Sequence, residues 1–258
     1  MDRRAVLIAA LRQMKQQGRK IVGVVVYDCQ MAQIADRAGV DIVSAGDSVG
    51  VNMWGHASES DVTLDQMALV CQAVRRGAAR ALVSCDIPLG SLQEGADAAV
   101  RAARRLVNEA GADIVKVDAE SSSAGTVRAI AGAGIAVWAQ FSGDAAKPDV
   151  ERLVRDAKRL ESDGASLLDF RYSGPVAGPE VVRAVRIPVI GGLGGGPWLD
   201  GRVRALVAAI GYLAAAAGDT TDRYANVADI ALAAVKALSD DVRAGRQIRG
   251  ASPAAQRS

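Results

Sequence analysis

Aromatic residues are scarce: two Phe, three Trp and four Tyr make up only 3% of the 258 residues. Ala, Val, Leu and Ile therefore fill the hydrophobic half of the chain, as is common where helices pack on parallel strands. A basic surface interleaved with aromatics is also missing. The 31 Lys and Arg stand against 29 Asp and Glu, a net charge of +2, which argues against a dedicated nucleic-acid binder. The longest apolar runs, such as Ala205 to Ala217, fall short of the roughly 18 to 20 residues that a membrane span needs. Cys29, Cys71 and Cys85 are odd in number and lack paired-ligand spacing, so neither a disulfide framework nor a zinc site is expected. A single histidine, His56, removes His-rich metal sites and most His-dependent triads. Met1–Gln17 carries basic residues and a short apolar stretch but no small-residue cleavage site, so it reads as an amphipathic helix and not a signal peptide. These absences describe a cytoplasmic protein with neither a membrane nor a nucleic-acid partner.

What is present is a repeated unit. Short apolar runs occur at Ile21–Tyr27, Asp41–Ala45, Ala81–Cys85, Asp113–Val117, Ala136–Ala139, Ser166–Phe170, Ile187–Gly191 and, less clearly, Ala205–Tyr212. Most are rich in Val and Ile without strict alternation, the pattern of strands buried on both faces. Between them, Met31–Ala38, Leu64–Gly77, Glu94–Gly111, Ser123–Gly132 and Asp149–Gly164 carry helical spacing. Gly39, Gly111 and Gly164 supply left-handed helix stops just before the next strand. About eight strand–helix alternations in roughly 250 residues predict an α/β fold of the (β/α)8 TIM-barrel type, with a doubly wound open sheet as the alternative. The reading is one domain over residues 1–248 with an N-terminal helix, followed by a disordered tail over 249–258.

In such a barrel the chemistry sits at the C-terminal ends of the strands. The polar residues there are Tyr27 and Asp28, Asp47 and Ser48, Asp86, Lys116 and Asp118, Gln140, then Asp169 and Arg171. Any one aspartate has about even odds of being a helix cap. A whole ring of carboxylates at one mouth would repel itself unless a cation sat among them. Asp47 and Asp86, on adjacent strands, are plausible hard ligands for Mg²⁺ that leave positions open for a substrate. A 2-oxo acid would fill two of those positions, and the metal would stabilise its enolate. Asp169, across the barrel, is the geometric candidate for abstracting the carbon-bound proton. Lys116 offsets negative charge near the substrate, or pairs with Asp118. Ser48 contacts a substrate carboxylate, or caps the following helix. Arg171 and Tyr172 either bind an acidic or phenolic substrate or pair with nearby acids. The Gly191–Gly196 run lacks the lysine and spacing of a Walker loop.

The same residues carry a resemblance. Asp41-Ile-Val-Ser-Ala-Gly-Asp47-Ser48-Val-Gly50, Gly55-His56-Ala-Ser58 leading to Val62-Thr63, Ala81-Leu-Val-Ser-Cys-Asp86-Ile-Pro88-Leu-Gly90 and Ala110-Gly-Ala-Asp-Ile-Val-Lys116-Val resemble the ketopantoate hydroxymethyltransferase family. The match is dense over roughly residues 10 to 120 and returns at Ile187–Gly191 and Asp200-Gly201. The resemblance implies a Mg²⁺-dependent barrel of the phosphoenolpyruvate mutase/isocitrate lyase superfamily. It also implies transfer of a hydroxymethyl group from 5,10-methylenetetrahydrofolate to an enolised 2-oxo acid such as 3-methyl-2-oxobutanoate, in a homo-oligomer. Carried over by position, Asp47 and Asp86 are metal ligands, Ser48 a substrate contact and Lys116 the lysine beside the substrate. Asp118 stands where the family has a metal-linked glutamate.

The chain departs from the family pattern in its second half. Gln140 replaces a histidine, Asp169 stands in the context of the catalytic glutamate, and the loop after the histidine block is missing. An Asp for Glu is one methylene shorter, and a displacement of roughly 1 Å can cost on the order of 10²-fold in rate. Gln140 donates a hydrogen bond but does not titrate near neutral pH. These changes suggest a divergent paralogue. They keep open a folate-independent C–C lyase, hydrolase or isomerase, and a catalytically silent barrel. The Ala-rich segment Asn226–Leu238 is the candidate for packing against a neighbouring copy.

Overall fold

A computed structural model describes residues 3–250; the readings for Met1–Asp2 and for the tail beyond 250 lie outside the described residues. The chain divides into two compact units, Met1–Ala205 and Leu206–Ser258.

The first unit is a closed barrel of eight parallel strands in sequence order: β1 (Ile21–Val26), β2 (Ile42–Ala45), β3 (Leu82–Asp86), β4 (Ile114–Asp118), β5 (Val137–Ser142), β6 (Leu167–Arg171), β7 (Val189–Gly191) and β8 (Gly201–Ala205). β1 pairs with β2 on one side and β8 on the other, so the sheet has no edge and the open-sheet alternative falls. Inside lies one layer of apolar side chains, one from each strand: Ile21, Ile42, Leu82, Ile114, Trp138, Leu167, Ile190 and Val203. Leu11 and Met14, from the helix Arg3–Gln16, pack against that layer. All are buried, and together they plug the barrel beneath its mouth, as inward layers do in this fold.

The glycine helix stops act as expected. Gly39, Gly111 and Gly164 have φ of +82°, +81° and +97°, the left-handed values that end a helix cheaply only at glycine. Leu64–Gly77 starts at a Thr63–Gln66 capping box, with each side chain bonded to the other residue's backbone N–H.

The eighth strand differs from the expectation. Ala205–Tyr212 is not a strand: the strand lies earlier, at Gly201–Ala205, and Leu206–Ala209 is helical. Its Gly-Arg-Val-Arg sequence alternates buried and exposed positions, so it lacks the continuous apolar run that marks its neighbours. A Cβ at Gly201 would collide with the Ile21 carbonyl, which explains a glycine inside the strand. The helix Gly174–Ala184 was also hidden, because Gly174, Gly178 and Pro179 interrupt its pattern. Gly178 makes room for the Trp198 indole, whose Nε1 donates to Ser173 Oγ at 2.9 Å.

The second unit contains the helix Val227–Arg243, capped by Asn226, which accepts from Asp229 N. Ile230, Leu232, Val235, Leu238 and Val242 are exposed along it. Among the described residues no helix is long and apolar enough to cross a membrane.

Candidate active site

Strand alternation builds the barrel interior in storeys, because residues i and i+2 face the same way. Above the apolar layer of Ile114, Trp138 and Leu167 stand Lys116, Gln140 and Asp169; above these stand Asp118, Ser142 and Arg171. The register aligns them across strands, with Asp86 beside Lys116, Gln140 beside both Asp118 and Asp169, and Ser142 beside Arg171. Over this polar storey opens a cavity of about 60 Å³, lined by Asp47, Glu59, Asp86, Ile87, Lys116, Asp118, Gln140 and Arg171.

The β2–β3 side of the cavity is acidic. Asp47 lies just past β2, and its backbone N–H reaches Asp86 Oδ2 at 3.4 Å. Burial, then the Asp86 charge and the Glu59 charge, push the Asp47 carboxyl up to about 8. Asp86 Oδ1 is buried with no hydrogen-bond partner. Two crowded carboxylates, one of them orphaned, are chemically suited to a divalent cation between them. Among the described residues no three His, Cys, Asp or Glu side chains form a ready-made cage, so other ligands would have to come from elsewhere.

The β4–β6 side is cationic. Lys116 Nζ forms an ion pair with Asp169 Oδ2 at 2.9 Å and lies 5.2 Å from the centre of the Trp138 ring. Burial pulls the Lys116 pKa down, but Asp169 and Asp86 outweigh it, and the net shift is upward. Lys116 is therefore a firmly charged ammonium. Asp169 Oδ1 accepts from Gly192 N at 3.1 Å, which ties the glycine run to the site. Arg171 Nε is 3.9 Å from Asp169 Oδ2.

Of the residues expected from sequence, Asp47, Asp86, Lys116, Asp118, Gln140 and Arg171 meet at the cavity. Asp169 is only 1% exposed and does not line it; the aspartate sits behind Lys116. Lys116 pairs with this residue and not with Asp118. Asp118 turns its oxygens to Glu120 N, Ser121 N and Ser121 Oγ. Ser48 precedes the helix Val49–Trp54 but makes no side-chain cap. Its Oγ instead lies 3.0 Å from Tyr27 OH, which also accepts from Asn52 Nδ2 at 2.8 Å. Burial of that phenol, before the nearby charges, raises its pKa. Asp28 is a helix cap, accepting from Met31 N. Glu59 and Ile87 were missed. Glu59 opens a short helix whose capping box is Ser58 and Asp61, so in sequence it reads as an ordinary first-turn acid. Its carboxylate has no hydrogen bond or ion pair among the described residues.

A closed parallel barrel with its polar cavity at the strand C-termini is the architecture of a (β/α)8 enzyme. The sequence profile described as ketopantoate hydroxymethyltransferase matches residues 5–247. The 3-methyl-2-oxobutanoate hydroxymethyltransferase of Moorella thermoacetica is 33% identical, covering 95% of this chain and 96% of its own. The protein of the same name from Pyrococcus abyssi is 32% identical, covering 88% and 84%. Among solved structures, 2,3-dimethylmalate lyase, a PEP mutase/isocitrate lyase superfamily member, superposes with a TM-score of 0.64 at 16% identity, covering 95% of this chain and 90% of that one. Phosphonopyruvate hydrolase in complex with oxalate and Mg²⁺ gives 0.57 at 14% identity, covering 96% and 92%. At that identity the structural likeness concerns the fold. The chain belongs to the ketopantoate hydroxymethyltransferase family, a family of transferase enzymes.

Proposed function

We propose that this chain transfers a hydroxymethyl group to an enolised 2-oxo acid, with Mg²⁺ as its metal and 5,10-methylenetetrahydrofolate as the one-carbon donor. The observation that carries the reading is the Asp47–Asp86 pair, with its raised carboxyl and its orphaned oxygen, facing the Lys116 ammonium across one small cavity. Asp47 and Asp86 would hold the cation. When bound, Mg²⁺ supplies Lewis acidity toward a 2-oxo acid's oxygens and offsets the repulsion between the two carboxylates.

The chain's own residues supply the rest. Lys116, kept charged and aimed by Asp169, meets negative charge as it develops on the substrate. Asp169 is thereby a positioning residue in the resting geometry, and reaches a substrate proton directly only if Lys116 moves aside. Gln140 offers an amide N–H to a substrate oxygen in a role that does not titrate. Glu59, a cavity carboxylate without a partner of its own among the described residues, would take the carbon-bound proton. The carbon nucleophile so formed would take the methylene carbon as its two bonds to the folate nitrogens break; water supplies the hydroxyl, its other proton and the one taken from carbon go to those nitrogens, and tetrahydrofolate leaves. Homo-oligomeric assembly through the exposed apolar side of Val227–Arg243 completes the reading.

The test follows the proton and the carbon separately. In D₂O with Mg²⁺, the wild type should exchange the proton beside the keto group of a 2-oxo acid, as read by NMR. With methylenetetrahydrofolate added, a hydroxymethylated product should appear. Exchange without any folate-dependent product would move the assignment to folate-independent chemistry on the same enolate. Absence of both would leave a silent barrel.

A further inference from the structure

Arg171 has more donors than partners. Its one ion contact, Nε to Asp169 Oδ2 at 3.9 Å, goes to an oxygen that Lys116 already approaches to 2.9 Å. Its guanidinium donates no hydrogen bond to any other described residue, although the side chain lines the cavity and is only 29% exposed. A half-buried fork of N–H groups without acceptors loses hydration and gains little in return.

The backbone that carries Arg171 is fixed on either side. Arg171 O accepts from Gly143 N at 2.9 Å, tying it to β5. The next residue, Tyr172, has φ of +50°, the one left-handed non-glycine among the described residues, and its N–H donates to Leu193 O at 2.8 Å. Gly194 packs on Tyr172 so closely that a Cβ there would lie 2.9 Å from the Tyr172 Cα. Such a strained position persists only where its surroundings over-determine it.

Position gives the fork its meaning. β6 lies four strands from β2 in a closed ring of eight, so Arg171 and Asp47 face each other across the mouth. A 2-oxo acid whose carboxylate and keto oxygens lie toward Asp47 and Asp86 points its other end at the cationic side, where Arg171 stands beside Lys116. A branched aliphatic tail would leave the guanidinium donors dry and unpaired. A carboxylate there would accept two parallel N–H bonds. We propose that Arg171 anchors a second carboxylate of the substrate, so that this chain works on a short 2-oxo dicarboxylic acid. The proposal rests on the 2-oxo acid reading above and names its substrate class.

The experiment is calorimetric titration, in Mg²⁺, of 2-oxosuccinate and 2-oxoglutarate against 3-methyl-2-oxobutanoate, with deuterium exchange of each acid followed in parallel. For the wild type, at least one diacid should bind about tenfold tighter or more, the worth of a charged hydrogen-bonded contact. In Arg171→Gln the ratio of the two affinities should fall to near one. Arg171→Lys, which keeps the charge but not the fork, should retain part of it. Thermal melts of both variants establish that they fold. A wild type that prefers the monoacid, or a diacid preference that survives Arg171→Gln, overturns the anchor. If the monoacid alone binds and exchanges, the anchor falls and the 2-oxo acid reading stands. If no acid binds, both fall together.

Discussion

The two ends of the barrel use the same residue type in opposite ways. At the N-terminal end, aspartates are saturated. Asp113 accepts from Val83 N at 2.9 Å and pairs with Arg3 and Arg75 at 2.6 and 3.1 Å. Asp200 accepts from Val189 N at 2.8 Å and pairs with Lys15 at 2.9 Å. Asp36 is buried, which alone would raise its pKa, yet the Ala81, Arg80 and Ala79 N–H groups and the Arg80 charge pull it below the ordinary value. At the mouth, Asp47 is pushed the other way and Asp86 keeps an oxygen with no partner. A carboxylate that costs stability where its neighbours contribute it marks the place where the fold has been held open for a ligand.

The comparison breaks most sharply at the mouth. Asp47→Ala and Asp86→Ala should each lower Mg²⁺-dependent deuterium exchange by on the order of 10³-fold, comparable to loss of a major electrostatic stabiliser. Neither should lower the melting temperature of the metal-free protein. Exchange at the wild-type rate in both variants would remove the paired carboxylates from the chemistry.

At the other end the effects should reverse. Asp113→Ala leaves Arg3, Arg75 and Val83 N without their shared acceptor and should cost about 3 kcal/mol of stability. Its exchange rate per folded molecule should stay near wild type. Urea unfolding beside the NMR assay separates the two, and a loss confined to activity would contradict the division between the ends.

The smallest effect sharpens the contrast through pH. In the folded chain Asp47 keeps its proton up to about 8, while an unfolded aspartate loses it near 3.9. The folded state therefore binds more protons across that interval, and stability falls as pH rises through it. The metal-free melting temperature should drop by a few degrees between pH 6 and 8.5. Asp47→Asn, or added Mg²⁺, should flatten the slope. An unchanged slope in Asp47→Asn would place the titration elsewhere.

Much of this was legible in the chain. Apolar runs, helical spacing and the helix-ending glycines located the first seven strands and most helices, because each is a local signal. The eighth strand was not, since its alternating arginines resemble a half-exposed strand and not a barrel stave. At the site, strand ends gave Asp47, Asp86, Lys116 and Gln140 directly. What could not be read was which polar groups would pair. Lys116 chose Asp169 over Asp118 through the register of β4, β5 and β6, and Asp118 turned to Ser121 in its own loop. Glu59 came to the cavity from a loop whose local grammar spoke only of capping. Asp113 of the lower end read as a mere strand start, although its partners come from as far away as Arg3.

The apolar plug beneath Lys116 has one more consequence. With Trp138, Leu167 and their companions sealing the floor, the polar storey is a vessel with a single neck. The Lys116–Asp169 pair stands on that floor, so whatever meets the Lys116 ammonium comes from the mouth and not from below.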